Sequence, residues 1–206
     1  MSRQVVIIGA GGHSHVLLDA LRLSGREVMG FLDPSLPAGS IGPGNLPVLG
    51  GDSELTNLSP RDVELVNGVG SVTVAATRAL IYDRGKAAGF SFCNVVHPSA
   101  IIGSDTRFGE GVQIMAGCVI QCGTNLGENC IINTRASVDH DCCIGAHVHV
   151  APGVTISGGV RIGDKVHLGT GAVVIQGMAI GEGSLVAAGA VVYRDLPPGS
   201  RLIPGR

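Results

Sequence analysis

From Ile101 to Leu196 the chain repeats every six residues without a slip, and no other feature restricts its fold as strongly. The sixteen hexads begin IIGSDT, RFGEGV, QIMAGC and end LVAAGA, VVYRDL. The second place is large and apolar in all sixteen, from Ile102, Phe108 and Ile114 to Val192. The last place is mostly small or β-branched, and seven hexads carry glycine after the large residue. A period of six is neither the 3.6 of a helix nor the alternation of a simple strand; it marks an internal structural repeat. The repeat predicts a parallel β-helix. Each hexad makes one short strand and a corner, and three hexads close a triangular coil. Places two and six point inward, and place six, beside the corner, has room only for a small residue. Coils then stack at the inter-strand spacing of ~4.8 Å. So narrow a core suits a chain with only two tyrosines, four phenylalanines and no tryptophan.

Ahead of the repeat the pattern changes. Residues 4–9, QVVIIG, read as a buried parallel strand, and Gly9-Ala10-Gly11-Gly12-His13-Ser14 follows. Apolar residues then recur at helical spacing through Val16, Leu17, Ala20 and Leu21 to Gly25. A second strand, residues 27–33, ends in Asp33. This is a β-α-β opening of Rossmann type. Its glycines let the backbone approach a phosphate, and the helix N-terminus offers free N–H groups. Asp33 lies about twenty residues past the loop, where a carboxylate can accept from a ribose hydroxyl. Serine replaces the third glycine of the dinucleotide fingerprint, and the segment is too short for both halves of a dinucleotide fold. The expected ligand is therefore of nucleotide type rather than a whole dinucleotide; a purely structural turn is the alternative.

Residues 34–47 read as a Pro/Gly-rich loop, and residues 52–58 as a short helix. Residues 62–68 form a third strand, and Gly68-Val69-Gly70-Ser71 a second glycine turn on the same edge. A helix from about Thr73 to Ala88 carries Arg78, and residues 90–96 form a last strand. His97-Pro98 leads into the first coil with no linker. Two domains follow, 1–96 Rossmann-like and 97–206 β-helical, packed rather than tethered. The tail PPGSRLIPGR continues neither pattern.

A net charge of −2 with no basic run argues against nucleic acid and anionic membrane surfaces. No apolar run reaches the ~18 residues of a membrane span, and the N-terminus lacks the features of a signal peptide, so a cytoplasmic location is expected. Cys118, Cys130 and Cys142 fall at the small inward place, as buried hydrophobes do, and there is no Cys-x-x-Cys.

A β-helix has little interior room, so chemistry belongs on its outside or between subunits. The polar residues that interrupt the small outward places cluster: Asn133, Asp139-His140-Asp141, His147, His149 and His167. A histidine beside a carboxylate is the pair a general base needs, because the carboxylate fixes the tautomer and stabilises the imidazolium. His140 and Asp141 occupy places four and five, where the corner lets consecutive side chains meet. His149 and His167 lie one coil apart and should stack. That stacking keeps a metal site open, as in the zinc-binding β-helical carbonic anhydrases, although the histidine spacing differs from theirs. Histidines merely hydrogen-bonded at a subunit interface, in a non-catalytic scaffold, are a further alternative.

The Gly-Ala-Gly-Gly-His start, His97-Pro98-Ser99-Ala100 and the run from Ile132 to Cys142, INTRASVDHDC, resemble the sugar acyltransferases named for sialic acid O-acetyltransferase. That family includes N-acetyltransferases of nucleotide-linked 4-amino sugars in the bacillosamine and perosamine pathways. The resemblance implies a left-handed β-helix, opposite to the usual crossover preference. It implies acetyl-CoA as co-substrate, a nucleotide sugar as acceptor, no metal, and a homotrimer with its sites between subunits. By the same resemblance His140 is the general base, Asp141 supports it, and Asn133 lies by the sugar. His149 is near the thioester carbonyl, and Gly158, Thr170 and Ala188 line the CoA channel. Gly11, Gly12, His13 and Asp33 line the nucleotide pocket, with Gly70 and Arg78 at its second turn. His167 stands where the family's N-acetyltransferases tend to carry an aromatic. O-acetylation of a free sialic-type acid is the runner-up activity.

Overall fold

The structure, a computed structural model, describes residues 3–71 and 76–203. The apolar run after Arg3 forms β1 (Gln4–Ile8), buried along nearly its whole length. α1 (Gly12–Leu23) follows the glycine loop, and β2 (Val28–Leu32) pairs with β1 in parallel. The Pro/Gly-rich segment is more ordered than its composition suggests. It is followed by a further strand, β3 (Val48–Gly50), which closes one edge of the sheet. β4 (Val63–Asn67) closes the other, giving the order β3-β2-β1-β4, all parallel. α2 spans Ala76–Ala87; the expected start at Thr73 lies outside the described residues.

Ser14 explains the departure from the dinucleotide fingerprint. It is fully buried, and its hydroxyl donates to Gly9 O at 2.7 Å and Gly68 O at 3.2 Å. The residue that breaks the motif therefore ties the two glycine turns together. Gly68 is needed for that approach, since a Cβ there would collide with Ser14 Oγ.

The repeats fold as a left-handed β-helix with three flat faces. The first face stacks seven strands from Val95–Val96 to Arg201–Leu202, among them Ile131–Ile132, His149–Val150 and His167–Leu168. The second stacks six from Ile101–Ile102 to Val191–Val192, including Ser137–Val138 and Thr155–Ile156. The third stacks five from Arg107–Phe108 to Ala179–Ile180. Register is strict at eighteen residues: Ile131 pairs with Gln113 and His149, and Ile132 with Ile114 and Val150. The pairing corrects two sequence expectations. Val95–Val96 belongs to the β-helix, paired with Gln113–Ile114, and the tail supplies one more strand, Arg201–Leu202, beside Leu185–Val186. Two residues suffice for a strand when the coil beneath provides the ladder.

Place two fills the core: Ile114, Ile120, Ile132, Val138 and Val150 are fully buried, each contributing roughly 1.5–3 kcal/mol. Cys118, Cys130 and Cys142 are fully buried at place six, and their thiols donate to backbone carbonyls of the next coil. Place five turns the corner with positive φ, supplied by nine glycines and by Asp105, Asn129, Arg135, Asp141, His147 and Lys165. Asn and Asp tolerate that region best among the residues bearing a side chain, so Asp141 sits there at modest cost.

The N-terminal domain packs on the first face and on the edge where the third face turns into the first. Tyr82 stacks on Phe92 at 4.6 Å, meets the edge of His147 at 5.6 Å and donates to Glu128 at 3.1 Å. Beneath lies a buried polar joint. Asn129 contacts His147 Nδ1 at 2.9 Å and accepts from Asn67 at 3.3 Å. His147 is thus part of the joint. Among the described residues no helix is long and apolar enough to cross a membrane.

Candidate active site

The predicted site residues fall in two places on one chain. His140, Asp141 and Gly158 lie on the edge between the second and third faces. His140 Nδ1 is 2.9 Å from Asp141 Oδ2. Both sit at a corner, and the positive φ of Asp141 (57°) brings its carboxylate alongside the preceding ring. An N–H donated to a carboxylate leaves Nε2 as the basic nitrogen. The hydrogen bond to Asp141, and then the charge of Asp139, raise the His140 pKa above its ordinary value. One coil on, a Cβ at Gly158 would lie 2.6 Å from His140 Nε2, so only glycine leaves room for the ring. Among the described residues the Gly158 N–H has no backbone acceptor.

The second place is the first face. A cavity of about 500 Å³ is lined by Ala151, His167, Leu185 and Ala187 on the face, and by Thr170 and Ala188 on its edge with the second. Gly158 therefore does not share a wall with Thr170 and Ala188 on one chain. The adjoining cavity, about 480 Å³, lies between the domains. It brings together Gly11, Gly12, His13, Asp33 and Gly70. Ser71, Asn133 and His149 line both cavities and form the seam between them.

Asp33 fixes the loop it faces. Its Oδ2 accepts from Ala10 N–H at 2.8 Å, and its Oδ1 from the Ser35 N–H at 2.9 Å and hydroxyl at 2.5 Å. Burial pushes the carboxyl up, but these donors, Ser35 foremost, outweigh it and hold the pKa below the usual value. His13 reaches the β-helix, its Nε2 2.8 Å from Gln113 Oε1, and burial lowers its pKa to about 4. Burial, then the neighbouring His167, His13 and Arg78, lower that of His149 to about 3. The His149 and His167 rings stack edge to face with centroids 5.0 Å apart, as their register requires. Among the described residues no third ligand joins them in a metal-binding group.

Of the residues predicted to line the nucleotide pocket, Arg78 is the one that the structure removes from the wall. It is 1% exposed, and its Nη1 donates to Asn67 O at 2.8 Å and Val69 O at 2.9 Å, while Nε donates to Asn129 O at 3.2 Å. It holds the second glycine turn from beneath and anchors it to the β-helix. Burial pulls its pKa to about 9, so it stays charged at neutral pH and helps keep His149 and His13 neutral. Sequence reading missed Ser71 and Gln113. Both act across the domain joint, and the one available signal was a polar Gln113 at an outward place of the repeat.

Residues 4–84 match the PglD N-terminal domain. Residues 123–158 match the bacterial transferase hexapeptide family, and residues 159–194 the hexapeptide repeat of succinyl-transferase. Among solved structures, a histidine variant of perosamine N-acetyltransferase from Caulobacter crescentus, in complex with CoA and GDP-perosamine, is 38% identical. The match covers 98% of this chain and 93% of that one, at a TM-score of 0.90. The acetyltransferase domain of PglB from Neisseria gonorrhoeae, in complex with acetyl coenzyme A, is 36% identical over 98% of this chain and 96% of that one, also at 0.90. WeeI from Acinetobacter baumannii, at 23% identity over 97% and 96% and a TM-score of 0.86, shares the fold.

Proposed function

Because the chain belongs to the family of CoA-dependent sugar N-acetyltransferases that join a PglD-type domain to a hexapeptide-repeat β-helix, we propose that it acetylates the amino group of a nucleotide-linked 4-amino-4,6-dideoxy sugar. The observation that carries this reading is the seam at Asn133 and His149. A cavity with a phosphate-ready glycine loop opens directly onto one with the small, apolar wall that a pantetheine arm needs. The relatives' complexes with GDP-perosamine and with acetyl coenzyme A support the pairing of the two ligands.

The base has to come from elsewhere. His140 is on the edge opposite the first face, so it cannot serve its own chain's cavities. A second copy, in a cyclic trimer, brings its His140 to that seam. The amine then attacks the thioester carbonyl, forming the C–N bond as its proton passes to His140 Nε2. Collapse of the tetrahedral intermediate breaks the C–S bond, and CoA thiolate leaves. No enzyme ester is required, because the cleft holds both reactants together. The Gly158 N–H, beside His140 and without a backbone acceptor among the described residues, is the proposed donor to the oxyanion.

Two outcomes follow. Asp33→Ala removes a ribose acceptor and loosens the loop, so KM for the nucleotide sugar should rise about tenfold or more, with KM for acetyl-CoA unchanged. Steady-state kinetics with each substrate varied tests this; an unaltered nucleotide-sugar KM argues against the assigned pocket. Asp141→Asn removes the contact that raises the His140 pKa. A base works only when deprotonated, so a raised pKa places the acid limb of kcat/KM above the ordinary imidazole value. In Asp141→Asn that limb should move to lower pH while the plateau falls. A limb that stays in place would remove Asp141 from this role.

A further inference from the structure

We propose that Asn133 is a positioning residue that sets the tautomer of His149, with Ser71 taking the Nδ1 proton and His149 Nε2 left as a hydrogen-bond acceptor at the seam between the two cavities. Asn133 is the starting point. Its Oδ1 accepts from the Thr134 N–H at 2.8 Å, which fixes which end of the amide is oxygen. The NH₂ end therefore faces His149 Nε2, at 3.3 Å. An amide nitrogen donates and does not accept. The ring nitrogen opposite it must supply a lone pair, so Nε2 carries no proton. His149 is 6% exposed, with a second imidazole against it and Arg78 nearby, and a neutral ring keeps one proton. That proton is on Nδ1, and Nδ1 lies 2.8 Å from Ser71 Oγ. Ser71 thus accepts from Nδ1–H.

Ser71 belongs to the second glycine turn, in the other domain, and the turn is held. Arg78 grips it at Val69 O from beneath, and Gly70 packs on His13, which is itself tied to Gln113 of the β-helix. A ligand that seats on the Gly68–Ser71 turn therefore acts on the ring that faces the neighbouring cavity. The ligand group that His149 takes is a donor, an amide or amine N–H, arriving in place of the long Asn133 contact. A carbonyl oxygen finds no proton at Nε2, which leaves the oxyanion to the Gly158 N–H. What this means for substrates rests on the function proposed above; the tautomer does not.

Nitrogen-15 long-range correlation spectra of the whole protein read the tautomer directly, with His149→Asn identifying the signals. At neutral pH His149 should show a pyrrole-like Nδ1 and a pyridine-like Nε2. Ser71→Ala, which leaves Asn133 in place, should preserve this pattern, and Asn133→Asp, whose carboxylate offers Nε2 an acceptor in place of a donor, should lose it. In the same Ser71→Ala protein, KM for acetyl-CoA should rise roughly three- to tenfold, the worth of one hydrogen bond, and Ser71→Thr should restore it. A pyridine-like Nδ1 in the unmodified protein, or a pattern indifferent to Asn133→Asp, overturns the proposal. The spectra need no turnover, so even a protein inactive on amino sugars shows whether Asn133 sets the tautomer.

Discussion

His140→Ala should lower kcat by about 10²–10⁴-fold, the usual worth of a positioned general base, while CoA and nucleotide bind as before. The geometry explains the split. His140 is half exposed on an edge away from both cavities of its own chain, so truncating it opens no core and leaves those cavity walls unaltered. Only the group that receives the amine proton is lost. Single-turnover measurement of acetyl transfer, with CoA affinity measured alongside, checks both halves. Turnover within a few-fold of the unmodified protein would exclude His140 as the base.

Mixing two inactive variants should restore activity. Ala188→Trp fills the first-face cavity but leaves His140 intact; His140→Ala leaves the cavity intact but removes the base. Each alone should be nearly dead. If each site takes its base from one copy and its cavity from the next, random co-assembly in equal amounts makes about a quarter of the sites whole. A site contained within one chain gains nothing from mixing. The effect rises from near zero to a substantial fraction of full activity, and it follows from His140 standing on the edge opposite the first face.

Much of this was legible in the sequence because a β-helix converts spacing into position. Eighteen residues is one coil, so the stacking of His149 on His167 could be read by counting. Places four and five form a corner, so His140 and Asp141 had to meet there if anywhere. What escaped depends on tertiary packing between segments far apart in the chain. Arg78, on a helix after a glycine turn, has the look of a phosphate ligand; only the approach of Asn129, fifty-one residues on, shows it sealed beneath that turn. Ser71 meets His149 across seventy-eight residues and a domain boundary. The strands at Val95–Val96 and Arg201–Leu202 lie outside the unbroken hexad run and are joined to the first face only by pairing on one side. β3 follows the Pro/Gly-rich stretch, and its three residues are too short an apolar run to be read as a strand without the sheet edge that recruits them.

The most direct test is acetyl transfer from acetyl-CoA, followed as released thiol, with two acceptors offered separately: a UDP- or GDP-linked 4-amino-4,6-dideoxy sugar and a free sialic-type acid. The nucleotide-linked amino sugar should turn over, with N-acetylated product by mass spectrometry, and the acid should not. Turnover of the acid alone would contradict the proposed function, moving the chemistry to a hydroxyl and leaving the cavity around Gly11, Gly12 and Asp33 without its proposed ligand.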